Sequence, residues 1–343
     1  MKVNDLGIDL GTSRVRIALE GRGIVLDEPS VIAINSKTKA IIAVGTEADQ
    51  MMEREPDTIT VIHPMQNGVI SDYDCAEKML YLFLRKVCRR HVFKPRAAIS
   101  IPASVTEVEE RSIVQATAAV GVRKTILVQS YIAAALGAEC NIVSSHGFMV
   151  VDIGAGTTEI ATLSLGGPAA YTSIRVGGDM MDEAIIRGVY KKYNFVISKK
   201  MAERLKMEIG SAVPCESVME AKGRDVVSGL PGTVEISSAS ILEWISDVLE
   251  DIHQAVQSIL EQTPPEMSAD ILSDGAILTG GLSKLHGLDT YLKQQTGVPF
   301  YLAENPENCV ALGTCKALHT RKGKLQVSDV NLFEYDHSNW IEI

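Results

Sequence analysis

Val151-Asp152-Ile153-Gly154-Ala155-Gly156-Thr157-Thr158-Glu159 decides the fold, because it repeats in altered form Gly7-Ile8-Asp9-Leu10-Gly11-Thr12 near the start of the chain. Each copy is an apolar run that ends in Asp-x-Gly followed by small and hydroxyl residues. The glycines let backbone N–H groups approach an anion closely, and the turn amides form a concavity suited to phosphate oxygens. Thr12, Ser13, Thr157 and Thr158 add hydroxyl donors. Two such hairpins so far apart imply a duplicated α/β domain, with Asp9 and Asp152 at strand ends facing each other across a cleft. Two carboxylates there suit a hydrated Mg²⁺, which keeps several waters and takes few protein ligands. Neither hairpin fits the other phosphate motifs: there is no G-x-x-x-x-G-K-[ST], and Gly154-Ala155-Gly156 lacks the third glycine of a dinucleotide fingerprint. One copy alone would read as an ordinary β-turn; two are a strong signal.

Around the hairpins, short apolar strands alternate with helical patterns, which is the signature of an α/β protein. Residues 4–10 run into Gly11, and Arg14–Leu19 alternates, giving strand, tight turn, strand. Thr106-x-x-Glu109 is a capping box that opens a helix, and Gly121 should end it. Thr125–Val128 and Phe148–Ile153 read as strands on either side of a short Ala-rich helix around Ala133–Gly137. Ile241, Leu242, Ile245, Val248, Leu249, Ile252, Val256 and Ile259 recur at helical spacing and mark one long amphipathic helix. A strand at Gly275–Thr279 leads to a Gly280-Gly281 turn and another helix.

The length of 343 residues suggests about two domains. Hydrophobic residues at 46% and charged residues at 22% are ordinary for a soluble globular chain. A net charge of −10 argues against nucleic-acid binding, which usually needs a basic face. No apolar run reaches the roughly 18 residues of a membrane span, and Met1-Lys2-Val3-Asn4-Asp5 is not the start of a signal peptide. Cys75, Cys88, Cys140, Cys215, Cys309 and Cys315 form no C-x-x-C pair and read as reduced thiols. The histidines show no ligand spacing, so no zinc site is assigned. The expected location is cytoplasmic.

The two hairpins resemble the phosphate loops of the actin, sugar-kinase and heat-shock-chaperone superfamily. Leu278-Thr279-Gly280-Gly281-Leu282-Ser283 resembles its adenosine-binding turn. Ala202-Glu203-Arg204-Leu205-Lys206-Met207-Glu208-Ile209-Gly210 resembles the helix that holds adenine and ribose in MreB proteins. Outside that context Glu203 and Lys206 read as a solvated i,i+3 pair and Gly280-Gly281 as a loop. Three more segments are similar to MreB/Mbl bacterial actins in particular: residues 23–31, Ser173-Ile174-Arg175-Val176-Gly177-Gly178-Asp179, and Cys309-Val310-Ala311-Leu312-Gly313-Thr314. The resemblance spans about residues 4–320.

This resemblance implies a duplicated actin-like fold with ATP and Mg²⁺ in the cleft. Domain I would be 1–140 plus about 318–343, with a small subdomain at about 32–70; domain II would be 141–317, with one at about 183–240. Nucleotide contacts would come from Gly11, Thr12, Ser13, Arg14 and Arg16, and from Gly154, Ala155, Gly156 and Thr157. Glu203, Arg204, Leu205, Lys206, Gly280, Gly281, Leu282 and Ser283 would complete them. Asp9 and Asp152 would hold the metal, and Asp152 and Thr157 would assist hydrolysis. The resemblance further implies self-assembly into paired protofilaments on the inner face of the cytoplasmic membrane. Partners would be membrane-bound cell-shape proteins, and the role would be organising cell-wall synthesis and rod shape.

The chain departs from that family where water is activated. The family's Glu-Glu-Pro-Met becomes Gln129-Ser130-Tyr131-Ile132, so Ser130 stands where a glutamate positions the attacking water. Serine is shorter, uncharged and no carboxylate base. A shift of one residue would bring Gln129 there, and conventional actin uses Gln. The family's Thr-Ala-Asn-Thr becomes Thr12-Ser13-Arg14-Val15, followed by Arg16. On a strand Arg14 and Arg16 share a face; one can reach the β- or γ-phosphate by charge-assisted hydrogen bonds, with Arg16 falling where conventional actin has a Lys. Surface arginines beside acidic neighbours are an equally good reading. Ala155 in place of Gly requires a negative φ. Together these changes suggest a paralogue that holds ATP and hydrolyses it slowly.

Arg85, Lys86, Arg89, Arg90, Lys94 and Arg96 surround Val92-Phe93. Part of this charge complements a helix C-terminus. His91–Arg96 also matches the loop by which MreB proteins without an N-terminal amphipathic helix enter lipid. Burying Val92 and Phe93 contributes on the order of a few kcal/mol, and each basic residue about 1 kcal/mol near anionic lipid. Ordering costs offset much of this, so a monomer binds weakly and a filament gains by avidity. The rival readings are a small-molecule kinase of the same fold, which needs a carboxylate base and a substrate pocket, and a chaperone ATPase, which needs a substrate-binding domain. The tail Leu325–Ile343 lies beyond the resemblance and is expected to pack on domain I or bind a partner.

Overall fold

A computed structural model describes residues 5–88, 95–320 and 333–336. The first half begins with a three-stranded meander, β1 (Leu6–Leu10), β2 (Arg14–Leu19) and β3 (Gly23–Pro29). The β1–β2 turn closes with the Gly11 N–H donating to the Arg14 carbonyl at 3.1 Å. A small unit follows: β4 (Ile32–Asn35), β5 (Ile41–Val44), α1 (Thr46–Met51), β6 (Ile59–Ile62) and the hairpin β7 (Met65–Gln66) and β8 (Val69–Ile70). Helix α2 (Tyr73–Val87), β9 (Arg96–Ile101), α3 (Glu107–Ala119), β10 (Lys124–Gln129) and α4 (Ser130–Gly137) complete it. The expected capping box opens α3: Glu109 N–H donates to Thr106 Oγ1 at 3.3 Å, and Thr106 N–H donates to Glu109 Oε2 at 2.8 Å. Gly121, at φ 90°, ends it.

The second half repeats the plan. A meander, β11 (Phe148–Ile153), β12 (Thr158–Ser164) and β13 (Gly167–Ile174), is followed by α5 (Gly178–Tyr193), β14 (Phe195–Val196), α6 (Lys199–Ile209), β15 (Val218–Asp225) and β16 (Pro231–Ser237). Then come α7 (Ser238–Gln262), α8 (Pro265–Asp274), β17 (Ala276–Thr279), α9 (Leu288–Thr296), β18 (Phe300–Leu302), α10 (Cys309–Thr320) and β19 (Phe333–Asp336). The expected long helix is α7, and every apolar position of its stripe is buried except Leu242, which packs at the edge of the core.

Duplication shows in the sheets. The first reads β19-β10-β9-β1-β2-β3 and the second β13-β12-β11-β17-β18. Apart from β19 the two orders match strand for strand: a meander beside a parallel strand pair. β19 pairs antiparallel with β10, Thr125 opposite Tyr335, so part of the tail adds a strand to the first sheet.

Between the sheets lies a shared layer of α4 and α10. Tyr131–Leu136 and Val310, Ala317 and Leu318 pack with Ala98, Ile126 and Val128 of one sheet and Val150, Ala161 and Leu163 of the other. The helices cross closely enough that a Cβ on Gly313 would stand 1.7 Å from the Ala133 carbonyl oxygen, which explains the Ala-rich stretch.

Candidate nucleotide site

The two large hairpins place matching residues in matching registers. Asp9 on β1 lies opposite Arg16 on β2, and Asp152 on β11 lies opposite Glu159 on β12. The neighbouring parallel strand supports each aspartate: Ser100 on β9 donates its hydroxyl to Asp9 Oδ1 at 3.1 Å, and Thr279 on β17 donates to Asp152 Oδ1 at 2.7 Å. Burial raises the pKa of Asp9, against the opposing effects of Arg16 and Ser100. Burial likewise pushes Asp152 up to about 7; the Thr279 hydrogen bond opposes this, and the negative charge of Asp9 adds to it. The negative charge of Asp9 therefore reaches Asp152.

Such a pair fits a divalent cation, whose charge would relieve both the burial and the mutual repulsion. Among the described residues no group of three or more His, Cys, Asp or Glu side chains is arranged to hold a metal. A cation here would therefore draw its remaining ligands from water and phosphate oxygens, as Mg²⁺ does.

The arginines part ways. Arg14 turns to Asp27 on β3, donating from Nε to Oδ1 at 2.6 Å and from Nη2 to the backbone carbonyl at 3.1 Å. Arg16 is mostly buried; its Nε lies 3.4 Å from the same Asp27 oxygen without being aligned to donate a hydrogen bond to it. Arg16 lies opposite Asp9 in the hairpin register, and its positive charge opposes the rise of both aspartates.

The hairpin tips meet. The Gly68 N–H, in the Asn67-Gly68 turn of the β7–β8 hairpin, donates to Thr12 Oγ1 at 2.8 Å. A Cβ on Gly156 would lie 2.5 Å from Thr12 Oγ1, and one on Gly68 would lie 3.3 Å from Thr157 Cγ2. The second tip is braced by Gly154 N–H to the Thr157 carbonyl at 2.9 Å and by Asp179 N–H to the Ala155 carbonyl at 2.8 Å. Ala155 is not among the residues with positive φ, so its methyl group is accommodated. Ser13 is exposed at the first tip.

In the turn expected to bind adenosine, Gly280 sits at φ 84° with no room for a side chain against the Ile153 carbonyl, whereas Gly281 faces open space. Leu282 and Ser283 are buried, and the Ser283 hydroxyl donates to the Gly280 carbonyl at 2.6 Å. On α6, Glu203 is exposed, Arg204 pairs with Glu208 at 2.7 Å, and Leu205 is core. Lys206 turns inward: Nζ lies 2.8 Å from Asp182 and donates to the Gly178 carbonyl at 2.9 Å. Within this stretch Glu203 is the polar side chain left facing solvent without an ion pair of its own helix.

Helix α4 starts at Ser130, with Gln129 as N-cap and no side-chain capping bond. Strand alternation puts Gln129 on the face of Thr125 and Leu127, and its Oε1 is buried without a hydrogen-bond partner. Glu159, by contrast, is a site residue that the sequence pattern does not mark. It is 1% exposed, accepts from Ala103 N–H at 3.1 Å and from the Ser173 hydroxyl, and burial pushes its pKa up to about 7. Its place opposite Asp152 follows from hairpin pairing alone, which is the signal that could have found it. The Asn67-Gly68 dipeptide is a strong hairpin turn, yet nothing local says that the turn reaches Thr12. Val92 and Phe93 lie outside the described residues.

A duplicated, two-lobed protein with paired phosphate-type hairpins is an actin-like protein. The MreB/Mbl protein family model matches residues 3–326. The chain is 44% identical to the cell shape-determining protein MreB of Escherichia coli K12, over 92% of this chain and 93% of that one. It is 41% identical to the cell shape-determining protein Mbl of Bacillus subtilis 168, over 92% and 95%. The crystal structure of MreB 5 of Spiroplasma citri bound to AMPPNP superposes with a TM-score of 0.89 at 33% identity, covering 94% of this chain and 98% of that one. The MamK double helical filament, at 20% identity and a TM-score of 0.81 over 92% and 98% of the two chains, shares the fold. The chain belongs to the MreB/Mbl family.

Proposed function

We propose that this chain is an ATP-binding, actin-like cytoskeletal protein that forms membrane-associated filaments and organises cell-wall synthesis and rod shape. The observation that carries the reading is the pairing of the two aspartates, Asp9 beside Arg16 and Asp152 beside Glu159, each hydrogen-bonded from the adjacent parallel strand. The Spiroplasma citri relative, solved with AMPPNP and with ADP, supports nucleotide in this cleft. Whole-length similarity to cell shape-determining proteins favours the filament over a small-molecule kinase.

Asp9 and Asp152 would hold Mg²⁺, which neutralises charge on the β- and γ-phosphates when bound. Backbone amides of residues 11–13 and 154–157 would cradle the phosphates, with Thr12 and Thr157 hydroxyls beside them. Arg16 would add a fixed positive charge, and Gly281 would leave room for the nucleoside. Ser130 offers no carboxylate to orient water, so turnover would be slow and filaments long-lived.

Among the described residues no helix is long and apolar enough to cross a membrane, and lipid contact is assigned to Val92 and Phe93. The test is co-flotation with anionic liposomes in the presence of ATP. Wild-type polymer should float, and Val92→Ala with Phe93→Ala should leave polymer in solution with ATP binding intact. Flotation of the double variant would reduce the loop to a basic surface.

A further inference from the structure

Besides the shared layer and the hairpin tips, the halves are joined through their small units. Lys200, in the first turn of α6, donates to Asp49 Oδ2 on α1 at 2.8 Å and also to the Asp49 carbonyl oxygen. Next to it the Lys199 N–H donates to Glu53 Oε1 at 3.0 Å. That amide is one of the first N–H groups of α6, which have no partner within the helix. Ser198 satisfies another, the Met201 N–H, through its hydroxyl at 3.1 Å, while its carbonyl accepts the first regular helical bond, from Ala202 N–H at 3.1 Å. The cap of α6 is thus completed by a carboxylate from the opposite half, placed where the helix dipole favours negative charge.

Glu53 delivers that carboxylate from φ 63°, a left-handed conformation that a non-glycine residue holds only when its surroundings impose it. Lys199 Nζ lies 2.7 Å from Asp179 at the start of α5, whose N–H braces the Ala155 carbonyl. On the other side, Glu28 receives both the N–H and the hydroxyl of Thr46, at 2.8 and 2.7 Å, and anchors α1. Each side of the bridge is tied to the body of its own half.

We infer that Asp49, Glu53, Lys199 and Lys200 form a clasp that regulates nucleotide exchange. The clasp closes the route by which a nucleotide lying between the hairpins, the Gly281 turn and α6 would leave. Opening the halves separates Lys200 from Asp49 and uncaps the helix that carries Glu203. The gate and the nucleoside contact therefore release together. The inference rests on the nucleotide reading above. The ion pair is partly exposed, at 39% for Lys200 and 34% for Asp49, so salt screens it and exchange should quicken with ionic strength.

The test uses the full chain, diluted below its assembly concentration and loaded with a fluorescent ATP analogue and Mg²⁺, which is then chased with excess ATP. Lys200→Glu, which sets two carboxylates against each other, should speed release about tenfold, and Glu53→Ala about fivefold. Asp49→Lys combined with Lys200→Glu should return the rate to within about threefold of wild type. Hydrogen exchange at residues 199–202 is followed in parallel without nucleotide, and it should quicken in both single variants. Release rates within about twofold of wild type in both single variants, or a double swap no slower than Lys200→Glu, overturn the clasp. A wild type that binds no nucleotide refutes the site, and unchanged exchange at α6 then refutes the clasp by itself.

Discussion

The Thr279 hydroxyl donates to Asp152 Oδ1 at 2.7 Å, tying the end of β17 to the carboxylate at the end of β11. The bond favours the ionised form of a buried acid that burial would otherwise keep protonated. Thr279→Val keeps the shape and removes the donor. Because a hydrogen bond to a charged group contributes about 1.5–3 kcal/mol, affinity for Mg²⁺–ATP at neutral pH should fall about tenfold or more. Calorimetry checks this, and unchanged affinity would detach Asp152 from the metal.

Acidity should act in opposite directions on the empty and the loaded protein. Asp152 and Glu159 have folded-state pKa values of about 7, above ordinary values of 3.8 and 4.5. Their contribution to the stability of the nucleotide-free fold is fully present below the ordinary values and is lost as pH rises through about 7. Metal binding needs the ionised aspartate, so Mg²⁺–ATP affinity should rise over that same window. Melting curves from pH 6 to 8 should show the nucleotide-free protein losing stability, with a weaker trend in Asp152→Asn. An equal trend in that variant would place the titration elsewhere.

Turnover tests the substitution at Ser130. A glutamate that orients water contributes on the order of a hundredfold or more. Ser130→Glu should therefore raise phosphate release at least about tenfold. Gln129→Ala should leave the rate unchanged, because Gln129 is the N-cap and shares a strand face with Thr125 and Leu127. If Ser130→Glu does nothing and Gln129→Ala removes activity, the amide at 129 is the water positioner.

Much of the architecture was legible because it is written locally. Asp-x-Gly at two sites announced the duplication, Thr106 and Glu109 announced the start of α3, and the 3.6-residue stripe from Ile241 to Ile259 announced α7. The site was less legible where its function depends on a partner far along the chain. Arg14 and Arg16 are equivalent on a strand, and they differ because Asp27, on the next strand and opposite Arg16, takes its hydrogen bonds from Arg14. Lys206 looks like a solvent-facing partner of Glu203, but Asp182 and Gly178, more than twenty residues earlier, hold it inward. Leu205, Leu282 and Ser283 match a binding motif because the motif includes the residues that build its turn and helix as well as those that face a ligand. Glu159 was in plain view, yet one of the hydrogen bonds that hold its buried carboxylate comes from Ala103 in the other half.

The central claim is that ATP and Mg²⁺ bind between the two hairpins, and calorimetry with Mg²⁺–ATP tests it most directly. Wild type should bind stoichiometrically. Asp152→Ala removes a carboxylate proposed to hold the metal, and Gly281→Arg fills the open side of the Gly280-Gly281 turn proposed to hold the nucleoside; each should abolish measurable binding while the melting temperature of the nucleotide-free protein stays near wild type. Wild-type affinity in both folded variants would contradict the account.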